Sequence, residues 1–201
     1  EPHIHMLSRT TDEYQAMYAA GIRACVEPSF WLGANRRYAG SFFDYFKLIL
    51  EFEGVRAARF GIDHYCAIAM NPKEADDRVL ADEVIDGLAP YLDHPRCVAM
   101  GEIGLNLNTP NEEYAMIRQL RMAEERKMPV VLHLPHVDKL RGTLRILDII
   151  KAEGYTVDRI DVDHNTEETI RHTLDSGCYA GMTVYPYSKL NPERVSAMVK
   201  Q

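Results

Sequence analysis

Short apolar runs alternate along the chain with longer segments in which apolar residues recur at helical spacing. Seven apolar runs are predicted strands, over residues 2–6, 23–27, 65–70, 98–104, 129–134, 159–164 and 179–185. Helix start signals lie between or after them, such as Ser41 with Asp44 and the dipeptide Asn191-Pro192. Because consecutive parallel strands need a helix-length crossover, this βα order predicts a parallel sheet.

The predicted architecture is an α/β fold of the (β/α)8 TIM-barrel type, with seven recognisable strands. Such barrels usually need about 250 residues, and this chain has 201. We therefore expect residues 1–201 to form a single domain that is incomplete at its carboxyl end and lacks the eighth strand. A doubly wound open sheet is the alternative, although no glycine-rich dinucleotide loop follows the first predicted strand.

Five potential metal ligands lie in or at the ends of predicted strands. Residues two apart on a strand share a face, so the imidazoles of His3 and His5 should enter one cavity while Ile4 packs outward. Functional groups in parallel barrels gather at the carboxyl ends of the strands. The sequence therefore predicts that five side chains converge on one site: His3, His5, Glu102, His133 and His164.

Strand alternation also predicts which apolar residues share a face with these ligands. The predicted pairs are Met100 with Glu102, Val131 with His133, and Val162 with His164.

Composition and charge limit the classes of partner. The chain is 46% hydrophobic and 26% charged, as expected for an ordinary globular protein, and its net charge of -7 disfavours broad affinity for nucleic acid. Its four cysteines are widely spaced, which predicts small buried residues in a reducing environment rather than a disulfide framework. No apolar stretch is long enough to cross a bilayer, so we expect a cytoplasmic protein with no membrane partner.

Four motifs carry a resemblance to a known family. These are His3-Ile4-His5, the run Gly101-Glu102-Ile103-Gly104, Val131-Leu132-His133 and Val162-Asp163-His164. In order and spacing they resemble the TatD-like metal-dependent hydrolases of the amidohydrolase superfamily, over nearly the whole chain. Within that family, residues 27–31 and 71–74 are most similar to the EboB-type branch.

The resemblance implies a centre with two divalent metal ions. His3 and His5 would bind the first ion, Glu102 would bridge both, and His133 with His164 would hold the second. Mixed imidazole and carboxylate ligands favour zinc, with manganese, iron or magnesium as alternatives. A hydroxide bridging two such ions would carry out hydrolysis without a covalent intermediate.

Two positions depart from the family pattern. The family has a further aspartate at the end of its eighth strand, which helps bind the first ion and accepts a proton, and we find no counterpart before Gln201. Asn71-Pro72 stands where many members have a histidine before proline, so a contact to phosphate or leaving group is lost. The substrates of nuclease members are therefore not expected to transfer to this chain.

Other polar residues near strand ends are candidates for the pocket. His136, predicted to be catalytic with Glu102, could orient a ligand, shuttle a proton or contact substrate. Glu27 could instead form a salt bridge beneath the barrel rim, and the cationic side chains could simply be solvated. The predicted substrate contacts are Glu27, Arg36, Lys139 and Tyr185, with Trp31, Arg141, Tyr187 and Lys189 as further candidates by position.

Together these patterns predict an enzyme: a metal-dependent hydrolase that acts on a small ester, amide, lactone or phosphoester. One alternative is a TatD-type metal-dependent deoxyribonuclease. A second alternative, from another class, is a non-catalytic barrel that binds a metal or a metabolite. The expected partner is a small-molecule substrate, nucleic acid is a disfavoured one, and the sequence leaves the oligomeric state open.

Overall fold

A parallel sheet of six strands forms the centre of the computed structural model, which describes residues 1–185 and 188–200. The strands follow one another in chain order without a reversal, and each pairs in parallel with the next. This order curls the sheet as part of a barrel. The strands are β1 (Ala24–Pro28), β2 (Asp63–Ala67), β3 (Cys97–Gly104), β4 (Val130–His133), β5 (Ile160–Asp163) and β6 (Tyr179–Ala180).

Helices fill the connections between these strands and flank the sheet. They are α1 (Thr11–Ala19), α2 (Ala39–Lys47), α3 (Gly54–Ala58), α4 (Arg78–Asp86), α5 (Ala89–Leu92), α6 (Pro110–Arg126), α7 (Lys139–Glu153), α8 (Ile170–Asp175) and α9 (Pro192–Val199). A π-helical segment, Leu48–Glu53, joins α2 to α3, and a 3-10 turn, Val157–Arg159, precedes β5.

Several helices begin at a residue whose side-chain oxygen caps the first turn, as at Thr10, Asp77 and Thr109. Asn191 caps α9 by accepting a hydrogen bond from Arg194 N at 2.8 Å, so that predicted start is confirmed. The predicted capping box at Ser41 and Asp44 is wrong, because the N-cap of α2 is Tyr38, three residues before Ser41.

The first predicted strand, residues 2–6, is not a strand in the structure. Two backbone hydrogen bonds align this segment with β1, from Ile4 N to Val26 O at 3.1 Å and from Val26 N to Glu1 O at 3.0 Å. Pro2 has no N–H to extend the pairing. The described residues therefore form six strands rather than seven, and the last predicted strand shortens to β6 with an isolated bridge between Val184 and Leu190.

The two faces of the sheet bury different residues. The main hydrophobic core lies between the sheet and the helices, and it includes Met100, Leu132 and Val162. A small separate cluster on the inner face consists of strand residues alone: Val26, Ala67, Ala99 and Val131. These small side chains leave the inner face open toward the carboxyl ends of the strands.

Two of the three predicted pairs are wrong, because the two residues of each pair lie on opposite faces of the sheet. Met100 and Val162 face the helices, whereas their predicted partners Glu102 and His164 face the inner side. In β3 the pairing register with β4 shifts between Met100 and Ile103. The shift interrupts the alternation of side chains between the two faces in the segment that contains Glu102. At the end of β5, His164 has a left-handed backbone with φ +64°.

None of the helices in the described residues is long and apolar enough to cross a membrane. The four cysteines carry free thiols; Cys25, Cys66 and Cys178 are buried and Cys97 is half-buried, as the sequence predicts.

Candidate metal centre

Two groups of three potential ligands lie at the carboxyl end of the sheet and share Glu102. His3, His5 and Glu102 form one group; Glu102, His133 and His164 form the other, and within each group the ligand atoms lie within 4.8 Å of one another. Glu102 Oε1 is 3.7 Å from His3 Nε2, 3.3 Å from His133 Nδ1 and 3.1 Å from His164 Nε2. The structure thus brings together all five ligands named from the sequence.

His5 combines a buried ring nitrogen with a fixed ring orientation. Its Nδ1 is buried and has no hydrogen-bond partner among the described residues. Its ring stacks on Phe30, with centroids 3.7 Å apart and planes inclined by 20°, which fixes the orientation of the imidazole. Burial lowers the pKa of His5 to about 4, so the ring is neutral at pH 7, as metal binding requires.

The buried carboxylate of Glu102 and the imidazoles around it shift one another's pKa values. Burial opposes ionisation of Glu102, but the imidazoles of His3, His133 and His164 hold its pKa well below the usual range. Burial also opposes protonation of His3, yet Glu102 and Asp163 outweigh it and raise the pKa of His3 to about 9. Burial lowers the pKa of His133. A divalent cation would take the place of the His3 proton, because imidazole ligands bind metals in the neutral form.

Four imidazoles and a shared carboxylate therefore form a candidate site for divalent metal. The donor set of nitrogen and carboxylate oxygen is typical of zinc and of neighbouring transition metals.

Asp163 is a member of the site that the sequence reasoning missed. It is buried at the end of β5 and accepts hydrogen bonds from His3 Nδ1, from His164 N at 2.6 Å and from Thr183 Oγ1 at 3.2 Å. Strand alternation predicts that neighbours such as Asp163 and His164 face opposite sides, but the left-handed backbone at His164 brings both into the cavity. The adjacent acid and imidazole in the Asp163-His164 dipeptide were the available signal.

A cavity of about 1050 Å³ lies over the ligands. Lys73 and Trp31 line it together, with Lys73 Nζ 3.4 Å from the centroid of the indole ring. Further lining residues are Asp161, His136, Tyr185 and Lys189. Burial and the nearby Asp163 charge raise the pKa of Asp161 to about 6.

His136 lies beside the second ligand group. Its ring centroid is 5.4 Å from that of His133, and the two rings meet edge to face. Partial desolvation at the cavity wall and the charges of Lys189 and His133 lower the pKa of His136 to about 4. The imidazole is therefore neutral at pH 7 and can accept a proton there.

Two of the predicted substrate contacts are instead engaged with protein partners outside the cavity lining. Both oxygens of buried Glu27 are used, Oε1 by the backbone amides of Met6 and Leu7, at 2.7 and 3.0 Å, and Oε2 by His64 at 2.8 Å. Arg36 pairs with Glu74, donates to Phe30 O at 2.9 Å and stacks on the ring of Phe42 at 3.8 Å. Both side chains therefore hold residues of the cavity wall, Leu7 and Phe30, through hydrogen bonds.

The remaining candidates differ in position. Lys139 donates from Nζ to His164 O at 3.1 Å and borders a second cavity of about 930 Å³ instead of the first; burial and Lys189 lower the pKa of Lys139 to about 8. Arg141 is exposed and pairs with Asp138 at 3.1 Å. Tyr187 lies outside the described residues.

Comparison with known proteins agrees with this fold. The family model described as TatD related DNase matches residues 2–201. An uncharacterised metal-dependent hydrolase from Methanocaldococcus jannaschii is 25% identical over 203 residues, which cover 100% of this chain and 78% of that protein. The TatD-like protein from Archaeoglobus fulgidus superposes with a TM-score of 0.80 at 26% identity, covering 91% of this chain and 76% of its own.

A phosphotriesterase-like lactonase variant from Deinococcus radiodurans has the same fold, with a TM-score of 0.67 at 16% identity over 99% of this chain and 71% of that one. The barrel sheet and the ligand cluster define a metal-dependent hydrolase. Within that class, the chain belongs to the TatD-related DNase family.

Proposed function

We propose that this protein hydrolyses a small ester, amide, lactone or phosphoester with two divalent cations, zinc by preference, at the centre built around Glu102. The observation that carries the proposal is the sharing of one buried carboxylate by two groups of imidazoles. We further propose a single (β/α)8 barrel domain to which the six strands contribute, membership of the EboB-type branch, and a cytoplasmic location.

In this proposal each side chain has a distinct task. His3 and His5 hold one cation, His133 and His164 hold the other, and Glu102 keeps the two together. Two cations so held would lower the pKa of a water molecule and polarise the scissile carbonyl or phosphoryl group. His136, neutral at pH 7, accepts a proton released in the reaction.

The size and lining of the cavity support a small substrate. About 1050 Å³ is close to the upper range of small-molecule pockets, which is about 300–1,000 Å³. Tyr185 lines this cavity, and Lys73 lies on the face of Trp31, so both apolar and cationic surfaces are available to a substrate. We propose Tyr185 as a substrate contact, whereas Glu27, Arg36 and Lys139 support the site through their protein partners.

A metal-dependent deoxyribonuclease is the second candidate. The matching family is described as TatD related DNase, and Lys73 and Lys189 both line the cavity, where they could contact a phosphodiester. The net charge of -7 favours the small substrate over a long polyanion.

The test combines metal analysis with a substrate panel. Elemental analysis of the purified protein should find about two equivalents of transition metal, and the loaded protein should turn over at least one ester, amide, lactone or small phosphoester. Release of nucleotides from single-stranded DNA, with no small-molecule turnover, would favour the nuclease. Absence of bound metal after incubation with zinc, manganese and magnesium would refute both candidates.

A further inference from the structure

Asp163 contacts both halves of the proposed metal centre. Its side chain is 4% exposed, so water satisfies little of its hydrogen-bonding capacity. One oxygen, Oδ2, accepts from His3 Nδ1. The other, Oδ1, accepts from His164 N at 2.6 Å and from Thr183 Oγ1 at 3.2 Å. A single carboxylate is therefore bonded to the ring of His3, to the backbone of His164 and to the Thr183 hydroxyl that contacts the ring of His164.

These bonds fix the proton on the ring of His3. An ionised carboxylate can only accept hydrogen bonds, so Nδ1 of His3 must carry a proton where it meets Asp163. The other ring nitrogen, Nε2, faces Glu102 at 3.7 Å and is left to offer its lone pair to a cation.

Thr183 connects Asp163 to the ring of His164 and fixes the position of the ring proton there as well. A threonine hydroxyl has one proton to donate, and Thr183 donates it to Asp163 Oδ1. At its 2.5 Å contact with His164 Nδ1 the hydroxyl must then accept, so Nδ1 of His164 carries the proton. Nε2 of His164, which lies 3.1 Å from Glu102, is again the nitrogen that faces the cation site.

We propose that Asp163 is a positioning residue that sets the ring orientation and tautomer of one histidine in each half of the centre, His3 directly and His164 through Thr183. The inference rests on the proposed function, because it assigns Asp163 a role toward the proposed cations. Carboxylates behind metal-binding imidazoles fix the tautomer and increase the basicity of the ligand. Here one carboxylate does so for two ligands.

The tautomers can be measured in the metal-free protein at a pH above the His3 pKa of about 9, because below that pH the ring of His3 carries a proton on both nitrogens. Two-bond 1H–15N spectra of protein labelled at histidine distinguish protonation at Nδ1 from protonation at Nε2, and His3→Gln and His164→Gln variants assign the two rings. The parent should show both Nδ1 atoms protonated. Asp163→Asn should shift the spectra of both rings toward the other tautomer, whereas Thr183→Val should change the ring of His164 alone.

Zinc affinity, measured by competition with a chromophoric chelator, is the second readout. Asp163→Asn should weaken binding by about 10–100-fold and should affect both equivalents. Asp161→Asn is the matched control, because Asp161 lines the same cavity from the same strand but acts on His3 through its charge alone. It should retain the parent affinity and both tautomers. Circular dichroism verifies that each variant is folded.

Two results would overturn the inference. Unchanged tautomers in Asp163→Asn together with the parent affinity would show that Asp163 orients neither ring. Lost zinc with unchanged tautomers would show that Asp163 binds a cation directly instead. If the parent itself binds no zinc, the proposed function fails, and the tautomer spectra separately decide whether Asp163 orients His3 and His164.

Discussion

Replacing Glu102 with alanine should empty both halves of the metal centre at once. The side chain is buried, with 5% of its surface exposed, and its Oε1 atom lies 3.1–3.7 Å from three imidazoles. Because both ligand groups include this carboxylate, neither keeps three protein ligands without it. The variant should therefore lose both equivalents together rather than one.

The size of the effect follows from what a ligand contributes. Loss of a residue that only orients a ligand costs about 10–100-fold in affinity, so loss of a direct ligand should cost at least about 100-fold, or about 2.7 kcal/mol per ion. Since a bound cation stabilises the folded state by mass action, this difference appears in thermal unfolding. At about 2–4 °C per kcal/mol for a chain of this size, the zinc-induced rise in Tm should shrink by about 5–11 °C per ion.

The assay is elemental analysis after desalting, together with calorimetry with and without zinc. Glu53→Ala is the matched control, because Glu53 is a fully buried carboxylate that pairs with Arg56 and belongs to neither ligand group. His172→Ala, an exposed histidine on α8, is the control for loss of an imidazole. Metal content in Glu102→Ala equal to that of the two controls would refute the shared-ligand reasoning.

Three other substitutions test separate parts of the structure. His136→Ala should retain the metal but remove an acid limb from the pH–rate profile, because a ring with its pKa lowered to about 4 becomes protonated, and is lost as a proton acceptor, only in acid; superimposable profiles would remove His136 from the chemistry. Gly104→Ala should destabilise the fold by more than about 1 kcal/mol, since φ is +134° and the new Cβ would lie 2.4 Å from His133 O; an unchanged calorimetric midpoint would contradict this. Glu27→Gln should lower the free energy of unfolding by about 1–3 kcal/mol, because His64 and two backbone amides lose a charged acceptor; urea unfolding with an unchanged midpoint would count against it.

The sequence predicted which potential ligands come together better than it predicted how the backbone positions them. In β4, simple alternation places Val131 and His133 on one face, and the structure agrees. In β3 and β5 the ligands depart from alternation, through a register shift before Glu102 and a left-handed residue at His164. Such departures depend on how neighbouring strands pair, which no pattern within a single strand contains.

The charged residues mark another limit of sequence reasoning. Glu27 lies near the carboxyl end of β1 and Arg36 follows that strand, as substrate contacts in a barrel do. Their partners, however, are His64 and Glu74, 37 and 38 residues further along the chain. The position in the sequence predicts only that a polar side chain lies near the rim of the barrel. The tertiary structure decides whether that side chain faces the cavity or pairs with another side chain.

A cation at this centre would also act as a cross-link between distant parts of the chain. His3 and Asp163 are 160 residues apart in sequence, and the segment before β1 is joined to that strand by the backbone bonds of Ile4 and Val26. A short segment with so few backbone bonds opens locally at a small free-energy cost. Ligand binding suppresses such opening, so amide hydrogen exchange at Ile4 and Val26 should slow sharply when zinc is added. These two amides would report assembly of the centre without any knowledge of the substrate.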